Sequence, residues 1–253
     1  MSGTGVFAVE FTGLTFPAHW HGDVEIILVT SGHLRVGINL AQRTLSAGEI
    51  AVITGGNIHY YTSNLDCRGL LLMFSPTVQK TGTHIFTHPF TARSDIDKIK
   101  PLFTGILDEL GGMEYGYREH IAAYIQLLSA MLMRHTLDRL DSAAGKTADM
   151  ANVQRLLEYI ESDPGLTLED ASGMLHFSKW HFCRYFKQLT GDTFSKYVSG
   201  VRLAAAKEML VSGGEKITDI AHMCGYATIR TFNRDFKRSV GCTPREFRYS
   251  KNM

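Results

Sequence analysis

Two stretches of this chain, 50 positions apart, carry the same pattern. Phe182-Cys183-Arg184-Tyr185-Phe186-Lys187 recurs as Phe232-Asn233-Arg234-Asp235-Phe236-Lys237, and Gly191 and Thr193 recur as Gly241 and Thr243. A repeat at fixed offset constrains a fold strongly, because each copy must build the same local unit. Phenylalanines four apart share one face of a helix, so each copy predicts a helix anchored by two rings with its basic residues elsewhere. Ser178 and Thr228 stand where N-caps belong, and Gly191 and Gly241 where the helices close. Each copy follows a short helix and a tight turn: residues 168–175 then His176-Phe177, and 217–224 then Gly225-Tyr226. The first short helix opens on Thr167-Leu168-Glu169-Asp170, a capping-box pattern. Between the copies, residues 194–211 read as one long helix stopped by Ser212-Gly213-Gly214. A helix, a turn and a basic helix make the geometry that lays a second helix in the major groove.

The side chains suit that role. Lys179, Trp180, Arg184 and Lys187 fall off the anchoring face in the first copy, and Arg230, Asn233, Arg234, Lys237 and Arg238 in the second. Arg can clasp guanine O6 and N7, Asn can do the same for adenine, and Trp offers an apolar face to a thymine methyl. The lysines suit phosphates, which give affinity without sequence information. The competing reading is that these are simply solvated basic faces.

Net charge alone would not suggest a polyanion as partner, since it is only +1. The charge is uneven, however. From Ala151 onward there are 15 Lys and Arg against 11 Asp and Glu, a net of +4; the first 150 residues hold 11 against 14, a net of −3. So modest a basic charge predicts that tight DNA binding needs two such domains, hence a homodimer. A hydrophobic content of 44% excludes a largely disordered chain. Cys67, Cys183, Cys224 and Cys242 are scattered with no metal-knuckle spacing, which reads as reduced thiols. Neither a signal peptide nor an apolar run long enough for a membrane span is apparent, so the expected location is cytoplasmic.

Residues 153–249 resemble the DNA-binding domain of the AraC/XylS family of transcription regulators. The resemblance is carried by Thr167-Leu168-Glu169, Ser178-Lys179-Trp180-His181-Phe182, Phe186-Lys187, Gly191, Tyr197, Arg202-Leu203, Ala206, Ile217, Ile220-Ala221, Gly225-Tyr226, Phe232, Phe236-Lys237 and Gly241 through Arg248. It implies two helix-turn-helix units reading adjacent major-groove segments. The base-facing positions it implies are Trp180, Cys183 and Arg184, then Ile229, Arg230, Asn233 and Arg234. Cys183 and Ile229 are poor hydrogen-bonding readers, which leaves apolar contact there. The second helix is therefore expected to supply more of the hydrogen-bonded readout. Ser172 stands where the family often has Ala.

The front half has a different period. Residues 24–29, 50–53 and 69–74 are β-branched or apolar runs bounded by Gly, Asn or Ser, the sign of a small antiparallel barrel or sandwich. From Asp95 helical spacing takes over, through Ile96, Ile99, Leu102, Phe103, Ile106, Leu107 and Leu110 to Gly111-Gly112. A second helix is expected at about 117–137, with Ile121, Tyr124, Ile125, Leu128 and Leu132 on one side. The expected organisation is a barrel over 1–92, a helical hairpin over 93–138, a linker over 139–150 and the DNA-binding domain over 151–253. This is an α+β multidomain chain. The hairpin is the expected dimer surface, although its stripe could instead pack on its own barrel.

His19-Trp20-His21 and Glu25, followed by Gly32, Gly48-Glu49 and His59, resemble the two sequence boxes of the cupin barrel. Three imidazoles and one carboxylate, His19, His21, Glu25 and His59, could hold Fe, Mn, Ni or Zn as a divalent cofactor. The second box departs from the pattern: it has Gly55-Gly56 where a proline turn is usual, and no Asn four residues after His59. In AraC-type regulators the same residues can instead line a ligand pocket or form a structural hydrogen-bond cluster. Tyr61 joins them as a candidate ligand contact, and Trp20, Tyr60 and Phe74 are candidate pocket walls.

The resemblance implies a DNA-binding transcription regulator, an activator controlled by a small molecule sensed in a cupin-like barrel, with promoter DNA, RNA polymerase and a second copy as partners. The alternative is a metal-dependent cupin enzyme carrying a DNA-binding module. A DNA-repair alkyl acceptor would need a zinc-bound cysteine cluster, which the scattered cysteines oppose.

Overall fold

The computed structural model describes residues 5–78, 90–91, 96–136, 148–163 and 165–251. The chain forms two compact units, one built from residues 1–145 and the other from most of 146–253.

The first unit holds two antiparallel sheets. One has the order β1 (Val6–Thr12), β8 (Arg68–Phe74), β3 (Val24–Ser31), β6 (Ile50–Ile53), β9 (Phe90–Thr91). The other has the order β2 (Phe16–His19), β7 (His59–Ser63), β4 (His33–Ile38), β5 (Ala41–Ser46). The three apolar runs seen in the sequence are β3, β6 and β8, the buried centre of the larger sheet. Both faces of β3 are covered, so it is apolar almost throughout rather than alternating. Ile27 and Val29 join Leu34, Val36, Ile38, Leu45, Ala51, Ile53 and Tyr61 in the core between the sheets.

The opposite face of the larger sheet presents Val24, Ile26, Leu28, Ile50, Val52, Leu70, Leu72 and Phe74. Helices α1 (Ile96–Gly112) and α2 (Tyr117–Thr136) lie on it, burying Ile99, Leu102, Phe103, Ile106, Ile121, Ile125, Leu128 and Leu132. Each such side chain contributes about 1.5–3 kcal/mol relative to exposure. The apolar stripe of the hairpin is therefore spent on its own barrel. Exposed on α2 are Arg118, Glu119 and His120 in the first turn, then Ala123, Leu127 and Ala130. Phe74 belongs to this helix-covered core, so it does not wall a pocket inside the barrel; alternation along β8 turns it to the outer face.

The second unit is helical: α3 (Ala148–Ser162), α4 (Leu168–Met174), α5 (Lys179–Thr190), α6 (Phe194–Ser212), α7 (Ile217–Met223), α8 (Ile229–Val240) and α9 (Pro244–Lys251). The linker expected over 139–150 lies outside the described residues as far as 147; from Ala148 the chain is already helical, because α3 begins earlier than its apolar stripe. The capping box at Thr167 and Asp170 forms with both hydrogen bonds, and Thr228 caps α8 through the Thr231 amide. Gly241 ends α8 in the left-handed conformation that glycine adopts without penalty. Among the described residues, no helix is long and apolar enough to cross a membrane.

Candidate metal centre and candidate nucleic-acid interface

Strand pairing brings the histidines together. His19 at the end of β2 is directly opposite His59 at the start of β7, and their rings lie 4.2 Å apart. Glu25 enters from β3 in the other sheet, and His21 from the turn between β2 and β3. One ligand atom from each of His19, His21, Glu25 and His59 lies within 4.8 Å of the others. His21 Nε2 is 3.1 Å and His59 Nε2 3.2 Å from Glu25 Oε2.

The backbone has already oriented each ring. Nδ1 of His19 is 2.9 Å from the Pro17 carbonyl, Nδ1 of His21 is 3.2 Å from that of Asp23, and Nδ1 of His59 is 2.8 Å from that of Asn57. Carbonyl oxygens only accept, so Nδ1 carries a proton in each ring; Nε2 of His21 donates to Glu25, and loss of that proton would leave Nε2 with the lone pair. That tautomer is the one a metal-binding imidazole needs. Glu25 is 3% exposed and His59 is fully buried. Burial alone would raise the Glu25 pKa, but hydrogen bonds from His21 and His59 and their charge hold it down at about 2. Burial and then the neighbouring His59 push His19 down to about 4. For His21 burial acts downward, and Glu25 outweighs it to give a raised pKa.

One carboxylate and three imidazoles make the donor set of a divalent metal. His59 Nε2 fits the same reading: it is buried and lacks a hydrogen bond of good geometry. Tyr61, two residues along β7 and on the same face, is also buried, and its hydroxyl has no hydrogen-bond partner. Burial and then the nearby Glu25 charge raise its pKa well above 10. Tyr60 alternates to the other face of β7.

The sequence reading missed what supports His21 and His59. Gly55-Gly56 replaces a proline turn for a steric reason: a Cβ on Gly55 would stand 2.3 Å from the Gly22 carbonyl oxygen. The Gly56 amide donates to the His21 carbonyl at 2.8 Å, so this turn clasps the turn that carries His21. Asn39, at φ +51°, donates to Asn57 Oδ1 at 2.7 Å and accepts from the Ile58 amide at 3.0 Å, which fixes the segment leading into His59. An Asn two residues before His59 was the available signal.

In the helical unit the repeat is a packing unit. Phe182 and Phe186 are buried with ring centroids 5.5 Å apart, and Phe186 meets Tyr197 edge-on at 5.5 Å. Phe232 and Phe236 repeat this at 5.6 Å, and Phe236 meets Phe247 at 5.5 Å. With the rings turned inward, Lys179, Trp180, Cys183, Arg184 and Lys187 stand exposed on α5, as do Arg230, Asn233, Arg234 and Lys237 on α8. Ile229 departs from the expectation: it is half-buried and packs on the core of the unit, because one apolar face of α8 begins there. The Arg184 guanidinium lies over the Trp180 ring at 5.0 Å. Asp235, which the sequence reading passed over, sits 3.3 Å from Arg234 Nε and 3.4 Å from Arg238. A groove beside α5, with Trp180, Arg184 and Lys187 on one side, reaches Thr193 and Ser195 at the start of α6.

Residues 171–250 match a helix-turn-helix domain family, and residues 5–73 match a cupin domain family. The chain joins an AraC-type helix-turn-helix domain to a cupin-like front domain. It is 26% identical to the HTH-type transcriptional activator RhaS of Enterobacter sp. (strain 638), across 94% of this chain and 89% of RhaS. It is 36% identical to the bifunctional transcriptional activator/DNA repair enzyme AdaA of Bacillus subtilis (strain 168), across 43% of this chain and 52% of AdaA. A crystal structure of ToxT from Vibrio cholerae O395 aligns over 97% of both chains, with a TM-score of 0.45 and 13% identity.

Proposed function

We propose that this regulator activates transcription from promoter DNA read by α5 and α8, under the control of a metal centre in its barrel. The observation that carries the sensory half is the convergence of three imidazoles, each with Nδ1 held by a backbone carbonyl, on one carboxylate. In each ring this leaves Nε2 as the atom available to a metal beside Glu25. His19, His21, Glu25 and His59 would hold the metal, which would supply a Lewis-acidic position for a small effector. The chain does the rest: the backbone carbonyls of Pro17, Asp23 and Asn57 fix the rings, and the barrel core excludes water from behind.

In the reading helices, Trp180 and Arg184 on α5 and Arg230, Asn233 and Arg234 on α8 meet base edges, with Cys183 adding apolar contact. Lys179, Lys187 and Lys237 hold phosphates. A homodimer presents two such units to one DNA, and the exposed Ala123, Leu127 and Ala130 of α2 are the part of the hairpin left for a second copy. Effector binding shifts the population of arrangements in which both units reach DNA. The absence of an enzymatic role is supported by the similarity over most of the chain to activators named RhaS.

The test joins metal analysis of the purified full chain to selection of bound DNA from a random library. A divalent metal at one per chain and an enriched two-part motif are expected. Absence of any enriched motif removes the DNA-reading assignment, and absence of metal after reconstitution removes the sensory centre.

A further inference from the structure

We propose that Tyr61 is the docking residue for a small carboxylate that binds as a monoanion at the metal of the barrel. This rests on the metal reading given above and adds to it the class of the effector.

The argument begins with two unsatisfied atoms in one dry place. Tyr61 and His59 lie on the same face of β7, and their rings are 5.6 Å apart; Tyr61 is 6.4 Å from the His19 ring. Tyr61 is 2% exposed and its hydroxyl makes no hydrogen bond of good geometry, and neither does the His59 Nε2, although it lies 3.2 Å from Glu25 Oε2. A buried polar atom left without a partner costs about 1–3 kcal/mol, and folded proteins rarely keep one without use. A metal satisfies the Nε2, because it takes a lone pair. It does not satisfy the phenol, which offers a proton and needs an acceptor. Glu25 is near enough to act on Tyr61 but forms no hydrogen bond of good geometry with its hydroxyl, and its Oε2 is already shared by His21 and His59. The missing acceptor must come from outside the chain.

Charge then selects the class. A divalent metal with one carboxylate ligand leaves a single positive charge in a barrel lined by Ile27, Val36, Ile38 and Ile53. Burying net charge in such surroundings is costly, and a monoanion removes it. A carboxylate also has two oxygens, one for the metal and one for the Tyr61 hydroxyl. Entry follows from His19 and His21, the partly exposed members of the cluster, beside Phe16, which is 50% exposed with its ring 4.5 Å from that of His19.

The experiment loads the full-length protein with Co2+, whose visible absorption reports its ligands, and titrates it with acetate. In the wild type the spectrum should shift to a saturable end point. Tyr61→Phe should keep one Co2+ per chain and the same starting spectrum, but bind acetate about tenfold or more weakly, the loss of one hydrogen bond to a charged group. Equal acetate affinity in the two proteins overturns the proposal, as does a loaded wild type whose spectrum acetate leaves unchanged. If Co2+ does not bind at one per chain, the metal reading itself falls and takes the proposal with it; the stoichiometry tells the two failures apart. Because Phe removes only an unsatisfied hydroxyl, the variant should melt at or above the wild-type temperature, which guards against misfolding as the explanation.

Discussion

His59 Nε2 and Glu25 Oε2, carried by strands of opposite sheets, stand 3.2 Å apart inside the barrel. The carboxylate charge is what lets the cluster balance a divalent metal. Glu25→Gln keeps the shape and can still accept a hydrogen bond but removes the charge. It should stay folded but with a lower Tm, because the charge that His21 and His59 stabilise is lost, while its metal content, measured after reconstitution and dialysis, falls to background. Full metal occupancy in this variant would show that Glu25 is not a ligand.

The Trp180 ring under Arg184 restricts where the guanidinium can go, so less entropy is lost when it meets a base. Arg184→Ala should cost about 1–3 kcal/mol at the selected site and relax base preference locally. Lys187→Ala should weaken all sequences alike and reduce the salt slope of binding by about 1. Binding isotherms at several salt concentrations, on the selected site and its single-base variants, separate the two. A uniform loss for Arg184→Ala would make it a phosphate contact.

Much of the helical unit was legible because its repeat is short-range: caps, glycine stops and rings four apart all act within a turn or two. The repeat in fact runs further than its visible letters. Tyr197 and Phe247 are also 50 apart, and they meet Phe186 and Phe236 at the same 5.5 Å. They were hidden because one aromatic replaces another. In the barrel the sequence showed the four ligands but not their support. The carbonyls of Pro17, Asp23 and Asn57 have no side-chain signature, and the contact between Gly55 and Gly22 joins turns that only the β-sheet register brings together. The use of the α1–α2 stripe was undecided in sequence, since an apolar helix face reads the same whether a barrel or a second copy covers it.

Those ring pairs hold each reading helix to its domain, so each should be costly to break. Phe186→Ala and Phe236→Ala each empty a fully buried site and should destabilise the helical unit by about 3–5 kcal/mol. Urea unfolding followed by the helical signal measures this. A loss below about 1 kcal/mol for either would mean that the neighbouring rings collapse into the space.

Acid should loosen the same unit in a definite direction. The hydroxyl and amide of Thr167 hold Asp170 below its ordinary value of 3.8, and the amide and hydroxyl of Thr243 hold Glu246 below 4.5. A carboxylate whose folded pKa is depressed stabilises the fold above its unfolded pKa, and this is lost as pH falls through the folded value. Stability should therefore decline below about pH 4, by a small amount because both groups are exposed. The Asp170→Asn, Glu246→Gln double variant should be less stable at neutral pH and show a shallower decline in acid. An equally steep decline would place the acid sensitivity elsewhere.

The two helix-turn-helix turns solve one backbone problem with different residues. His176 occupies the first turn at φ +55° and Gly225 the second at φ +76°. The left-handed region costs a side-chain-bearing residue about 1–2 kcal/mol, while glycine enters freely but gives up more entropy on folding. The strain exceeds the entropy difference, so His176→Gly should stabilise the helical unit by up to about 1 kcal/mol. Gly225→Ala should destabilise it by more than about 1 kcal/mol, since it adds strain where none exists. His176 is exposed, so its replacement removes little packing and the sign reports the backbone alone. Paired urea denaturations test both. If His176→Gly destabilises, the imidazole makes a contact in that turn that outweighs its strain.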